Sequence, residues 1–145
     1  METMAEIFDR HGYLTAAFTG SGAISARFGF YKGFDFYNET SNEETGGDLE
    51  RILEKATPWI SANANRSFFL FLHTYEPHVP YTDDFFVNKE SIDEADTLAY
   101  RTAKYDGDIR RADWFFGEIL ATLRAMNSTR GDHRHCNIGP RRGPR

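Results

Sequence analysis

The chain has 145 residues, 40% of them hydrophobic and 15% aromatic, with 13 Phe and 7 Tyr. Such a composition belongs to a globular domain large enough to bury a core and excludes an intrinsically disordered chain. The net charge of -5 argues against nucleic acid as a partner, the more so because residues 127–145 hold five Arg against one Asp and leave a strongly acidic body.

A helix is expected first. Thr3 followed three residues later by Glu6 is a capping-box pattern, Met4, Ile7 and Phe8 supply a short apolar face, and Gly12 suits the end. "YLTAAFTG" (Tyr13 to Gly20) reads as a strand stopped by Gly20 and Gly22. "FGFYKGFDFYNE" (Phe28 to Glu39), aromatic and broken by Gly, reads as a packed loop. Asp48 is placed to cap a second helix, in which Leu49, Ile52, Leu53, Ala56, Trp59 and Ile60 recur at helical spacing. "SFFLFLHT" (Ser67 to Thr74) is a continuous apolar run too short for a typical helix, which predicts a central strand buried on both faces. "EPHVPY" must be extended, because each Pro removes a donor and biases its predecessor away from helix. Leu98 to Arg124 predicts a long amphipathic helix. Its apolar stripe is Tyr105, Ile109, Ala112, Phe116, Ile119, Leu120 and Leu123, with Asp106, Asp108, Arg110 and Arg111 on the wet side. Strands alternating with helices predict an α/β fold with a mostly parallel sheet flanked by helices.

No apolar run approaches the ~20 residues of a membrane span, the N-terminus lacks a signal-peptide pattern, and the single Cys136 excludes an internal disulfide. Few residues could carry chemistry. His73, Glu76 and His78 lie just past the carboxyl end of the predicted central strand, where open α/β sheets bind ligands. By spacing alone, imidazoles that bond to nearby carbonyls are the plainer reading, and a metal site from these three lacks a further ligand cluster. Asp106, Asp108 and Asp113 have the spacing of a solvated helix face. Arg27 could meet an anion, but "GSGAIS" lacks the Lys and Ser/Thr of a phosphate loop. Cys136 has no acid–base framework beside it.

"AEIFDRHGYLTAAFTG…FGFYKGFDFYNE", then "SFFLFLHTYEPHVPY", then "YDGDIRRADWFFGEILATLR" resembles a middle segment of the sulfatase family, within the alkaline-phosphatase-like superfamily, over about Thr3 to Arg124. The most specific element is the strand followed by H-T-Y-x-P-H-x-P-Y. The resemblance implies part of a large α/β sandwich over residues 1–125, and hydrolysis of sulfate esters, small-molecule or glycan, in a full-length member. In that family a formylglycine nucleophile arises from the Cys or Ser of a C/S-x-P-x-R motif and a divalent cation, usually calcium, assists. The cation and basic groups stabilise the charge developing on the sulfuryl oxygens. The His of the H-x-P element contacts the sulfate, and His78 matches it; His73 matches a less constrained place, behind the contact residues. Phosphate- or phosphonate-ester hydrolysis is the alternative within the superfamily, and a noncatalytic α/β binding domain is the alternative outside it.

No C/S-x-P-x-R occurs, since "ISAR" lacks the Pro, and the calcium ligands the family uses have no match. A segment of a longer enzyme, inactive alone, is therefore expected. Residues 126–145 have no apolar period and read as a basic, disordered tail. Read from the second base of each codon, Asp132 to Arg145 permit a β-like run of Ile, Thr, Val and Ala followed by Ser-Asp-His-Gly-Glu. The family's late metal motif belongs at that place, so the tail is expected to be frameshifted or mis-spliced.

Overall fold

The Thr3–Glu6 pattern closes both bonds of a capping box. The Glu6 backbone N–H donates to Thr3 Oγ1 at 3.1 Å, and the Thr3 N–H donates to Glu6 Oε2 at 2.8 Å. These bonds start α1 (Met4–Arg10) in the computed structural model, which describes residues 1–20, 22–40, 49–79, 81 and 97–130. Phe8 of this helix stacks on Phe69 at 4.6 Å and meets the edge of Tyr13 at 5.1 Å, laying α1 on one face of the sheet.

Three strands form that sheet: β1 (Leu14–Thr19), β2 (Phe36–Glu39) and β3 (Phe68–His73), in the order β2-β1-β3. Both pairings are parallel, with Thr19 opposite Glu39 on one side and opposite His73 on the other. On the far face lie α2 (Leu49–Ala62) and α3 (Thr97–Arg130), so the described chain is an α/β layer with a parallel sheet. The core joins Ala16 and Phe18 to Leu49, Ile52, Ala56 and Ile60 of α2 and to Phe115 and Ile119 of α3. The α2 residues are spaced three and four apart, which gathers them on one stripe.

Three expectations are corrected. The segment read as a packed loop ends in a strand, β2, because Phe36 and Tyr37 can pair with the Ala16–Ala17 backbone while their rings pack against Phe18 and Phe34. The central strand among the described residues is β1, buried from Thr15 onward, whereas β3 lies at an edge and is half-buried. Continuous hydrophobicity marked β3, but the small side chains of β1 (Thr15, Ala16, Ala17) let neighbours close over it from both sides. The stripe of α3 is rotated from the expected one. Asp108, Phe115 and Ile119 are buried, while Tyr105, Ile109 and Phe116 remain exposed. Arg111 lies on the buried side too and reaches Glu50 at the start of α2, with Nη2 2.5 Å from Oε2. The Asp48 cap and the tail beyond Arg130 fall outside the described residues.

The loop before β2 turns on two glycines with φ of +85°, Gly29 and Gly33. A Cβ at Gly33 would stand 2.5 Å from the Glu6 backbone nitrogen, whereas at Gly29 it would meet nothing within 4 Å. Gly29→Ala should therefore cost only left-handed strain, about 1–2 kcal/mol. Gly33→Ala should cost more, because it must also lift α1 from the sheet. Urea midpoints of the two variants, measured side by side, check this order.

Candidate functional site

The carboxyl ends of the three strands open toward the segment Thr74–Val79. In open parallel sheets this end collects ligands, because loops rather than helices occupy it. His73 closes β3, and its carbonyl accepts from the Gly20 N–H at 3.1 Å. The next turn is built by its own side chains. Thr74 Oγ1 accepts from the Glu76 N–H at 3.1 Å, and the Thr74 hydroxyl donates to the Glu76 carboxylate. The Glu76–Pro77 peptide is cis. Tyr75 stands edge-on to His73, with ring centres 5.0 Å apart, and edge-on to His78 at 6.2 Å. Its hydroxyl oxygen accepts from the Ala23 N–H at 2.7 Å, so the residues after β1 are tied to this turn.

His78 is exposed, and its Nδ1 lies 2.7 Å from the Val79 carbonyl oxygen. A carbonyl can only accept, so Nδ1 carries the hydrogen and Nε2 is the nitrogen not engaged by that bond. Beyond Val79 a cavity of about 450 Å³ is lined by Tyr81, Tyr100, Arg101 and Lys104, which puts two cationic side chains next to the loop that bears His78. Lys104 also lies over the Tyr100 ring, 5.1 Å from its centre.

Burial lowers the pKa of His73, so its imidazole stays neutral where an ordinary one would begin to charge. Burial raises the pKa of Glu76, opposed by the Thr74 hydroxyl and by the charge of Arg111. An acid with a raised folded pKa holds a proton that the unfolded chain has released. Its effect on stability therefore turns unfavourable as pH rises from the usual carboxylate range through the raised value. Glu76→Gln keeps an acceptor for Thr74 and removes the titration. The variant should gain stability relative to the wild type across that window, a trend that urea midpoints at a series of pH values would reveal.

The structure thus brings together His73, Glu76 and His78, which the sequence had singled out, on one short turn. It does not gather Asp106, Asp108 and Asp113, because Asp108 is buried while Asp106 and Asp113 are exposed. Arg27 has its guanidinium 4.6 Å from the centre of the Phe28 ring. Cys136 is outside the described residues. Arg111 and Thr19 were missed as neighbours of this end of the sheet. The signal for Arg111 was available, since Asp108, Arg111, Phe115 and Ile119 recur at three- and four-residue spacing beside the small Gly107. Among the described residues no group of three His, Cys, Asp or Glu side chains is placed to hold a metal ion, so these residues do not form a calcium cage. Among them, too, no helix is long and apolar enough to cross a membrane.

The family model described as Sulfatase matches residues 1–130. The chain belongs to the sulfatase family. Among solved structures this sulfatase-family chain is similar to the crystal structure of the lipoteichoic acid synthase LtaP from Listeria monocytogenes, with a TM-score of 0.68 and 22% sequence identity. That likeness covers 88% of this chain and 34% of LtaP, so the chain spans about a third of the length of its neighbour. No curated protein matches. The three parallel strands with their flanking helices are a partial alkaline-phosphatase-like fold.

Proposed function

We propose that this chain supplies a substrate-contacting part of a sulfuric ester hydrolase, with His78 touching the sulfate group. The observation that carries the reading is the exposed ring of His78, held through Nδ1 and set past the carboxyl end of a parallel sheet in a sulfatase-family chain. With Nδ1–H held by the Val79 carbonyl, Nε2 can donate to a sulfuryl oxygen when the ring carries its second proton, and Arg101 and Lys104 add positive charge nearby. The ester is a small-molecule or glycan sulfate. Calcium, which the family resemblance implies, would sit on residues other than those described. The nucleophile is likewise assigned to a C/S-x-P-x-R motif that this sequence does not contain.

Two measurements test the reading. Imidazole resonances of the chain, followed by NMR as sulfate replaces chloride at constant ionic strength, should shift at His78. They should stay fixed at His11, which caps α1 just before β1 begins and so lies at the opposite, amino-terminal end of that strand. Phosphate in place of sulfate sets the sulfate-ester reading against the phosphate- or phosphonate-ester alternative. Aryl sulfate added to the chain should not be turned over. Metal-dependent turnover abolished by His78→Ala would overturn the assignment of the nucleophile to another segment. Absence of any anion response at His78 would favour a noncatalytic binding domain.

A further inference from the structure

Thr19, the last residue of β1, lies in register between Glu39 and His73. Register partners in a parallel sheet send their side chains to the same face. Phe18 and Leu72 point into the core beneath α2 and α3. Glu39, Thr19 and His73 therefore form one polar row on the opposite face, at the carboxyl edge of the sheet. Thr19 is 0% exposed, and neither its Oγ1 nor the buried Nδ1 of His73 has a hydrogen-bond partner among the described residues.

Thr15 shows what the same face offers a satisfied hydroxyl. It is equally buried, yet its Oγ1 lies 2.9 Å from the Gly33 carbonyl oxygen and accepts from the Asp35 N–H at 2.9 Å. Around Thr19 the neighbouring groups are already engaged. Glu39 Oε1 accepts from the Ala26 N–H at 2.5 Å, and the Tyr75 hydroxyl oxygen accepts from Ala23. The Tyr37 hydroxyl donates to the Ile24 carbonyl at 2.5 Å and has its oxygen near the Thr19 hydroxyl without the geometry of a hydrogen bond. Native interiors seldom leave two such atoms unpaired, and internal water is the usual remedy where polar groups converge.

We propose that the Thr19 hydroxyl and His73 Nδ1 bind one internal water molecule that ties the carboxyl ends of β1 and β3. The chemistry selects water over an ion. A hydroxyl and one nitrogen of a neutral imidazole call for a small neutral guest that both donates and accepts. The Glu39 carboxylate in the same row repels an anion, and the row lacks the ligands of a metal cage. Through the edge contacts of Tyr75 with His73 and His78, the bridge also steadies the turn that carries His78. The inference stands apart from ester hydrolysis, because it concerns strand ends that any function of the chain would share.

Thr19→Val separates the possibilities by sign. It keeps the side-chain shape and removes the hydroxyl. If Thr19 is truly unpaired, the variant loses a desolvated polar group and becomes more stable. If water bridges the pair, the variant strands that water or His73, and the unfolding constant in urea should rise about tenfold. Thr19→Ser retains the hydroxyl and should keep most of the stability. In the wild type, a water-selective Overhauser effect should reach the His73 ring and vanish in Thr19→Val. A Thr19→Val chain as stable as the wild type or more so would overturn the proposal, as would a protein side chain found bonded to Thr19 Oγ1. Should Thr19→Val fail to fold, the wild-type Overhauser effect decides by its presence or absence.

Discussion

Phe18→Ala should destabilise the chain by about 3–5 kcal/mol, the range for deleting a buried aromatic ring from a core. Phe18 is among the largest fully buried side chains, and its ring lies 5.3 Å from Phe36 and 6.1 Å from Trp59. It touches both helical and strand layers of the core, so the surrounding groups cannot collapse into the space without separating β1 from α2. A loss of that size is a large fraction of the about 5–15 kcal/mol that holds a domain folded. Urea denaturation should show a midpoint shifted far to the left or no folded baseline at all. The neighbouring pair Phe115 and Phe116 supplies an internal comparison. Phe115 is 7% exposed and Phe116 is 58% exposed, so Phe115→Ala should cost several-fold more than Phe116→Ala. Equal costs would mean that α3 presents its other stripe to the sheet.

The largest functional effect is expected at His78. In an enzyme that contains this segment together with the C/S-x-P-x-R nucleophile, His78→Ala should lower kcat/KM for an aryl sulfate about 100-fold or more, the usual cost of removing one donor from developing charge. Because His78 is exposed and, among the described residues, hydrogen-bonded to its neighbour Val79, the same change should leave folding stability close to the wild type. The split between activity and stability is the diagnostic feature. His78→Asn, which preserves a donor in a shorter side chain, should recover part of the rate. An unchanged kcat/KM in His78→Ala would remove His78 from substrate contact and leave the turn without an assigned chemistry.

How much was legible in the sequence differs by the range of the interaction. The capping box at Thr3 and Glu6 depends on groups three residues apart, and it could be read directly. The stripe of α2 was equally legible, because Leu49, Ile52, Ala56 and Ile60 all face one neighbour. His73, Glu76 and His78 could be placed on one turn because two prolines and a preceding apolar run leave that stretch few conformations. The resemblance to the sulfatase family rested on the same turn, and the family model bears it out.

Other features could not be read that way. The strand at Phe36–Glu39 exists because β1 offers it a parallel partner twenty residues away, and nothing in its own Gly-broken surroundings marks an extended backbone. The helix α3 has apolar residues around more than one face, so periodicity alone could not choose between Phe115 and Phe116; docking against α2 chose Phe115. Asp108 and Arg111 looked like solvent-facing charges until that docking turned them inward. The row of Glu39, Thr19 and His73 is purely tertiary, three residues separated by twenty or more positions and aligned only by strand register. Sequence by itself determined local caps, the α/β class and the turn bearing His78, because short-range sterics and hydrogen bonds govern them. Tertiary structure decided which strand is central, which helix face is buried and which polar atoms meet at the carboxyl edge, because those depend on partners that local sequence cannot specify.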